Sequence, residues 1–319
     1  AVAALFGTQW EVKIPVLTAL LDQLPHPLRG AFSGAQDGFS PNQVAGSLLY
    51  VFALALALLG LKIRQRRWAS TLALVVACAI IGVVLIATQS RAGFAGLVTS
   101  IAILLLWPHG WGRWLLGLGI VVGLAVLLFL PVRDILMAVD DTTKVQGIYG
   151  SLSIAGRLEI WSRALVALQD FPFTGVGLGA FRGIVHEIYP LYLIPPDYDI
   201  AHAHNFFLQS GLDFGLGGLV AVLAVYSVAV VQCSALWRKQ LFINHRVWGV
   251  GLLAALLGQA VFSLADAVSM GSKTNLLFWW LLGMVFGTTS QLASHAAPVP
   301  SQQTATSCIY TAEDEGFTP

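Results

Sequence analysis

Charge is what this sequence has least of. Only 10% of its 319 residues are Asp, Glu, Lys or Arg, against roughly 25% in a soluble globular chain. The mean hydropathy is +0.77, and several apolar runs exceed the ~18 residues that cross a bilayer as a helix. A soluble domain is thereby excluded, and the chain reads as an integral α-helical membrane protein. The net charge of +1 leaves no electrostatic footprint for nucleic acid. Cysteine is nearly absent: Cys78 lies inside a span, Cys233 near a span end and Cys308 in the tail. No metal-ligand spacing and no disulfide framework follows from them. Ala1-Val2-Ala3-Ala4 supplies neither an initiator Met nor the basic start of a signal peptide. Native sequence, and with it further spans, is expected before residue 1.

What is present is a series of hydrophobic walls around one polar stretch. Residues 1–41 read as the end of a span followed by an outer loop. Thr8-Gln9-Trp10-Glu11 fits a capping box that opens a short helix with Ile14, Leu17, Leu20 and Leu21 on one face. Residues 42–130 read as a four-span bundle, with spans at about 43–61, 69–88, 92–107 and 114–130. Residues 131–204 form a large outward loop, and 205–292 a three-span bundle with spans at about 206–231, 247–265 and 276–291. The Ser/Thr/Pro/acidic residues of 293–319 are expected to be a disordered cytoplasmic tail. The fold class is therefore all-α and polytopic, with about seven transmembrane helices.

Orientation follows from the bias of Lys and Arg in short loops. Alternating spans put Lys62, Arg64, Arg66, Arg67, Arg113, Arg238, Lys239 and Arg246 on one side, and Arg29, Arg91 and Lys273 on the other. The basic side is cytoplasmic on this rule, so the polar stretch from Pro131 to Asn205 faces outward. No nucleotide pool exists outside a bacterial inner membrane. A group-transfer enzyme there needs a lipid-linked or otherwise pre-activated donor.

Within that stretch, residues 156–170 predict an amphipathic helix with Ile160, Trp161, Ala164, Leu165 and Leu168 on its apolar face. It is expected along the membrane interface, with Trp161 at headgroup depth. Arg157 has two readings: a bidentate ligand of diphosphate or carboxylate, or an interfacial arginine paired with lipid phosphate or Glu159. Gly175-Val176-Gly177-Leu178-Gly179-Ala180 matches the loose dinucleotide pattern, but a helix and Pro172 precede it where a strand is required. These glycines are expected to make a turn packed close to another backbone. Asp197 and Asp199, with His202 and His204 nearby, offer mixed oxygen and nitrogen ligands; the Pro195-Pro196 turn favours an ordinary polar loop instead. His204 reads as a general base or as a residue that caps the next span with Asn205. Asp213, some 12 Å into the fifth span, reads as a functional carboxylate or as one paired with an arginine. Asp266 and Lys273 are expected to be solvated.

Ser90-Arg91-Ala92-Gly93, Gly156-Arg157-x-x-x-Trp161, Asp170-x-Pro172-x-x-Gly175-x-Gly177-x-Gly179, His204-Asn205-x-x-Leu208-Gln209 and Gly215-x-x-Gly218 occur in that order. With the Pro41-Asn42-x-x-Ala45 start of the first full span, this series resembles the O-antigen ligase and polymerase superfamily over residues 40 to about 220. The resemblance implies a glycosyltransferase of the lipid-donor type in the bacterial inner membrane, multi-pass, with its site facing the periplasm. It would move a glycan from undecaprenyl diphosphate to an acceptor hydroxyl, the lipid A core in ligases or another repeat unit in polymerases; relatives act on protein Ser or Thr.

Carried over from that family, Arg91 and Arg157 match the donor diphosphate ligands and His204 the base. His202, Asn205, Asp213 and Arg29 are expected as supporting residues. The resemblance implies no metal and no cofactor, and an inverting reaction whose partners are the lipid-linked donor, a lipid or glycan acceptor, and membrane lipid. A membrane transporter using Asp213 is the competing class, but no internal repeat of the transporter type is visible.

Overall fold

The computed structural model describes residues 1–8, 10, 21, 23, 39–129, 154–238, 243–267 and 275–296. Arg29, Lys273, Cys308, the helix expected after Thr8 and the tail from 297 onward lie outside the described residues. So do residues 130–153, which include the first part of the expected outward loop.

Ten helices are found among the described residues, and no strand. They are α1 (Val2–Gly7), α2 (Pro41–Arg64), α3 (Trp68–Ala87), α4 (Arg91–Leu106), α5 (Gly110–Phe129), α6 (Ile154–Asp170), α7 (Phe181–Ile188), α8 (Phe206–Arg238), α9 (Ile243–Ser263) and α10 (Asn275–Ala296). Each of the seven apolar runs coincides with one helix. Four of them, α2, α3, α8 and α9, are both long and apolar enough to cross a membrane, while α4 is shorter at 16 residues. The protein is a multi-pass, all-helical membrane protein.

Helix α9 is the centre of the bundle. It packs against α2, α4 and α8, and Leu252, Leu253, Ala254, Ala255 and Leu256 are wholly buried. Lipid tails are as apolar as Leu, so helices in a membrane associate through close packing and hydrogen bonds. The α4–α9 contact uses both. A Cβ on Gly96 would stand 2.7 Å from the Gly258 carbonyl oxygen, and the Ser100 hydroxyl donates to the Ala254 carbonyl over 3.0 Å.

The two ends of the bundle differ chemically. At one end Gln65 Nε2 donates to Asn244 Oδ1 over 3.2 Å, which joins the Lys62–Arg67 loop to the start of α9. Arg246 stacks on Trp237 nearby, 5.4 Å from the ring centre. The basic turn between α2 and α3 thus shares one end of the bundle with the last turn of α8 and the start of α9, as alternation of spans requires. At the other end lie Ser90, Arg91, Asn205 and the residues after Ser263.

Helix α8 is not one continuous rod. Phe214 and Gly215 leave helical geometry, and Gly215 takes φ +70°. The 33 residues of α8 would extend about 50 Å as a straight helix, well beyond a hydrocarbon core of roughly 30 Å. The break divides a first segment, packed against α6 and the residues that follow it, from a second that is long enough to span.

Candidate active site

Residues 160–212 form a small core of their own. Ile160, Ala164 and Ala167 of α6 pack with Phe181 and Val185 of α7, with Tyr189, Ile194, Ile200 and Ala203 of the following loop, and with Leu212 of α8. The apolar face expected on α6 is therefore present, and much of it is buried against protein. It is also rotated: Ala167 is buried, whereas Leu165 is 52% exposed. Trp161 has a partner within the protein. Its Nε1 donates to the Ala203 carbonyl over 2.9 Å.

The glycine turn packs against the break in α8, as close backbone approach predicts. Val176 N–H donates to Leu212 O over 2.6 Å, and Leu216 N–H to Pro172 O over 2.7 Å. These contacts satisfy backbone groups that the interrupted helix would otherwise leave unpaired. Gly175 (φ +65°) and Gly215 (φ +70°) face each other across this junction. A Cβ on the first would lie 2.3 Å from Leu212 O, and on the second 2.4 Å from Phe173 O. Only glycine meets both the left-handed conformation and the contact.

A cavity of about 330 Å³ opens where α6 meets the starts of α2 and α4 and the end of α9. Asn42, Ser90, Arg91 and Arg157 give it a polar side; Ala92, Ala95, Ile154, Leu158, Trp161 and Val261 give it an apolar one. The Ser90 side chain caps α4 by accepting from Gly93 N–H over 3.1 Å, which fixes the start of the helix and Arg91 with it. Arg157 enters from α6, and one of its guanidinium nitrogens donates to the Ala265 carbonyl. Two arginines remote in sequence thus share one cavity. Its volume falls in the range of small-ligand sites, and the start of a 16-residue helix adds a partial positive charge.

Ala265 is followed by Asp266, which the sequence reading left in solvent. The structure buries it, with 7% of its surface exposed. Its Oδ1 lies 3.7 Å from His204 Nδ1 and 4.0 Å from His202 Nε2. Burial opposes ionisation of this carboxyl, but His204, His202 and Arg157 outweigh it and hold the group below the usual carboxylate range. His202 moves the other way. Burial first, then the charges of His204 and Arg157, press its pKa down to about 4, against the pull of Asp266. His202 is therefore neutral at physiological pH. Its Nδ1 accepts from the His204 backbone N–H over 3.1 Å, which assigns the remaining ring proton to Nε2, on the side of Asp266.

The loop carrying the histidines is clamped on both sides. Trp161 holds the Ala203 carbonyl, and the Ala203 N–H donates to Gln209 Oε1 over 2.8 Å. Gln209 Nε2 then donates to Asp213 Oδ1 over 2.8 Å, and Gly179 N–H reaches the same oxygen over 3.0 Å. Asp213 is thus an acceptor at the joint between glycine turn and helix, not a carboxylate paired with arginine. Asn205 caps α8 by accepting from Leu208 N–H, and its amide donates to Leu264 O. Between these fixed points His204 adopts φ +48°, an uncommon conformation for a residue with a side chain that is held by surrounding contacts.

Asp197 and Asp199 do not join the histidines. Asp199 makes a two-pronged pair with Arg182, at 2.7 and 2.6 Å, on an exposed surface. Glu159 accepts from the backbone N–H groups of Tyr192 and Leu193 at 2.6 and 2.9 Å. The acidic partner of the histidines is Asp266 instead. His202, His204 and Asp266 offer ligand atoms within 4.8 Å of one another, a set able to hold a divalent cation.

The structure therefore brings together Arg91 and Arg157, and His202 and His204 with Asn205, joined through Trp161 and Ala265. It leaves Asp213 at the joint below. Asp266 and the clamping roles of Gln209 and Trp161 were missed in the sequence. The signal for Asp266 was topological: an acid at the end of a span is a candidate partner for any imidazole at the same end of the bundle.

Residues 76–223 match the sequence pattern of the O-Antigen ligase family. The matched region contains Arg91, Arg157, the glycine turn, His204 and the break in α8. A search of the curated proteins finds no match.

Proposed function

We propose that this chain is a membrane glycan transferase of the O-antigen ligase type, using a polyprenyl-diphosphate donor and working on the outer side of the bacterial inner membrane. The observation that carries the proposal is the single cavity shared by Arg91, Arg157 and Trp161, with Trp161 tied to the histidine loop. The family match supports the reaction class. Undecaprenyl diphosphate is the carrier expected in that class.

The two guanidinium groups and the start of α4 hold the diphosphate, and the apolar side of the cavity takes the first part of the polyprenyl chain. With Nδ1 of His204 turned toward Asp266, Nε2 is the atom left for the acceptor hydroxyl. His204 removes the hydroxyl proton as its oxygen attacks the anomeric carbon from the face opposite the diphosphate. The carbon–oxygen bond to phosphate breaks, polyprenyl diphosphate leaves on the arginines, and the sugar inverts. Asp266 stabilises the imidazolium that forms. Asn205, His202 and Asp213 support the loop rather than touch substrate.

No metal is required in this scheme, because the leaving charge falls on two arginines. A divalent ion at His202, His204 and Asp266 would sit near the positive Arg157 and occupy the base itself. Seven spans, an outward loop over 131–204 and a cytoplasmic tail complete the proposed topology.

The test incubates purified protein with a polyprenyl-diphosphate glycan and, separately, lipid A core, free repeat units and a Ser/Thr-rich peptide. Transfer to one of them that survives exhaustive chelation and disappears in His204→Ala is expected. The acceptor consumed separates ligase, polymerase and protein transferase. Transfer by His204→Ala at the normal rate would remove His204 as the base, and a reproducible Mn²⁺ requirement would reassign the three-residue cluster to a metal. Uptake of solute into sealed vesicles without glycan transfer would favour a transporter.

A further inference from the structure

From Phe171 to Phe181 there are eleven residues without a charge, bounded by Asp170 and Arg182. This is the glycine turn, and its apolar side chains do not all fold inward. Phe171, Phe173 and Leu178 are exposed, Phe173 to 87%. An isolated exposed apolar residue needs no explanation, but these stand beside a second exposed group. Phe214 and Leu216 flank the α8 break and are themselves exposed, and the Leu216–Pro172 hydrogen bond fixes the turn against them.

The patch continues downward. Leu216, Val220, Leu223 and Val231 are all exposed, and their spacing puts them on one face of the second segment of α8. That segment, from Gly215 to Arg238, measures about 36 Å as a helix, close to the thickness of a hydrocarbon core with its boundaries. Its exposed apolar face is the surface that the bilayer covers. The turn sits at the outer end of the same face, with no charge to separate the two.

We infer that Phe173, with Phe171 and Leu178, is inserted into the outer leaflet of the membrane, and that this turn, rather than α6, seats the outward subdomain on lipid. The ligand is the bilayer at the level of the glycerol backbone and upper acyl chains. The continuity with the spanning face of α8 argues for lipid over a protein partner. This seat is independent of the transfer chemistry and would hold for any function of the site.

The test uses nitroxide labels on single cysteines in the full chain reconstituted in liposomes, with Cys78, Cys233 and Cys308 replaced by alanine. Phe173→Cys and Leu178→Cys report on the turn, and Asp197→Cys on an exposed polar loop of the same subdomain. Labels at 173 and 178 are expected to collide several-fold more with oxygen, and several-fold less with a water-soluble nickel chelate, than the label at 197. Equal access of the nickel chelate to 173, 178 and 197 would overturn the inference. Shielding of 173 and 178 from both reagents, with spin–spin broadening, would overturn it in favour of contact with a second copy.

Discussion

Asp266 places a carboxylate oxygen 3.7 Å from Nδ1 of His204, although 62 positions separate the two residues in the chain. The distance is longer than a hydrogen bond and short enough for a strong charge interaction. Asp266→Asn keeps the size and removes the negative charge beside Nδ1 of His204. The expected result is a fall in transfer rate on the order of 10²-fold, within the 10²–10⁴-fold span of general-base contributions. The amount of protein in the membrane should stay unchanged. Measurement of kcat at saturating donor checks this, and an unchanged kcat would leave Asp266 a structural residue.

Arg91 and Arg157 differ in what else they hold, although they share the cavity. Arg157 also donates to the Ala265 carbonyl next to Asp266. Lysine preserves the charge of either residue but loses the planar fork. Arg91→Lys should act chiefly through donor binding and raise KM by roughly 10-fold, about 1.4 kcal/mol. Arg157→Lys should lower kcat as well, because the segment carrying Asp266 loses an anchor. Steady-state kinetics with donor varied at fixed acceptor distinguishes the two patterns.

Much of the fold was legible in the sequence, since hydrophobic length alone located the helices from α2 to α5 and from α8 to α10. The glycine turn was legible in kind: rejecting the nucleotide pattern left close backbone packing, which Gly175 and Gly215 supply. The break in α8 was not, because Gly211, Gly215, Gly217 and Gly218 stand close together in the same run and hydropathy does not say at which of them, if any, the helix stops. The hydrogen bond of Trp161 to Ala203 was not legible for a related reason. Helical periodicity finds an apolar face but not what covers it, and here α7 and the loop to Ala203 pack against it. Asp266 escaped because its partners come from a distant segment, and no local pattern encodes that contact.

The two classes of glycine should respond to alanine with opposite signs. Gly215→Ala puts a Cβ against Phe173 O at a positive φ, and should destabilise the protein by roughly 1–3 kcal/mol. Gly183 lies inside α7 with open space around the added Cβ. Gly183→Ala should stabilise by about 0.5–1 kcal/mol through helix propensity and a less flexible unfolded chain. Thermal unfolding of the detergent-solubilised protein reads both, and a loss of stability in Gly183→Ala would contradict the local packing.

Asp213 accepts from Gly179 N–H and Gln209 Nε2 through one oxygen. Asparagine keeps that acceptor, so Asp213→Asn should retain most of the transfer activity. Asp213→Leu leaves both donors without it and should cost about 1–3 kcal/mol of stability. An ion-coupling carboxylate would behave differently, with Asp213→Asn abolishing function as fully as Asp213→Leu. Activity and thermal stability measured on both variants therefore separate a hydrogen-bond hub from a transport site.

The depressed pKa of His202 makes the fold sensitive to mild acid. Its ordinary value of 6.5 applies to the unfolded chain, and burial lowers it to about 4 in the folded one. Between those values the unfolded state binds more protons, so stability falls as pH drops from 6.5 toward 4 and levels off below. The shift corresponds to about 3 kcal/mol at most. Asp266, held below 3.8, contributes stability that is lost only at still lower pH, so it does not mask this window. His202→Asn keeps an acceptor for the His204 N–H and removes the titration. Unfolding midpoints at pH 7.5 and 4.5 should therefore differ less in His202→Asn than in the parent protein. An equal difference in both would mean that His202 is not the buried neutral imidazole that sets this acid limit.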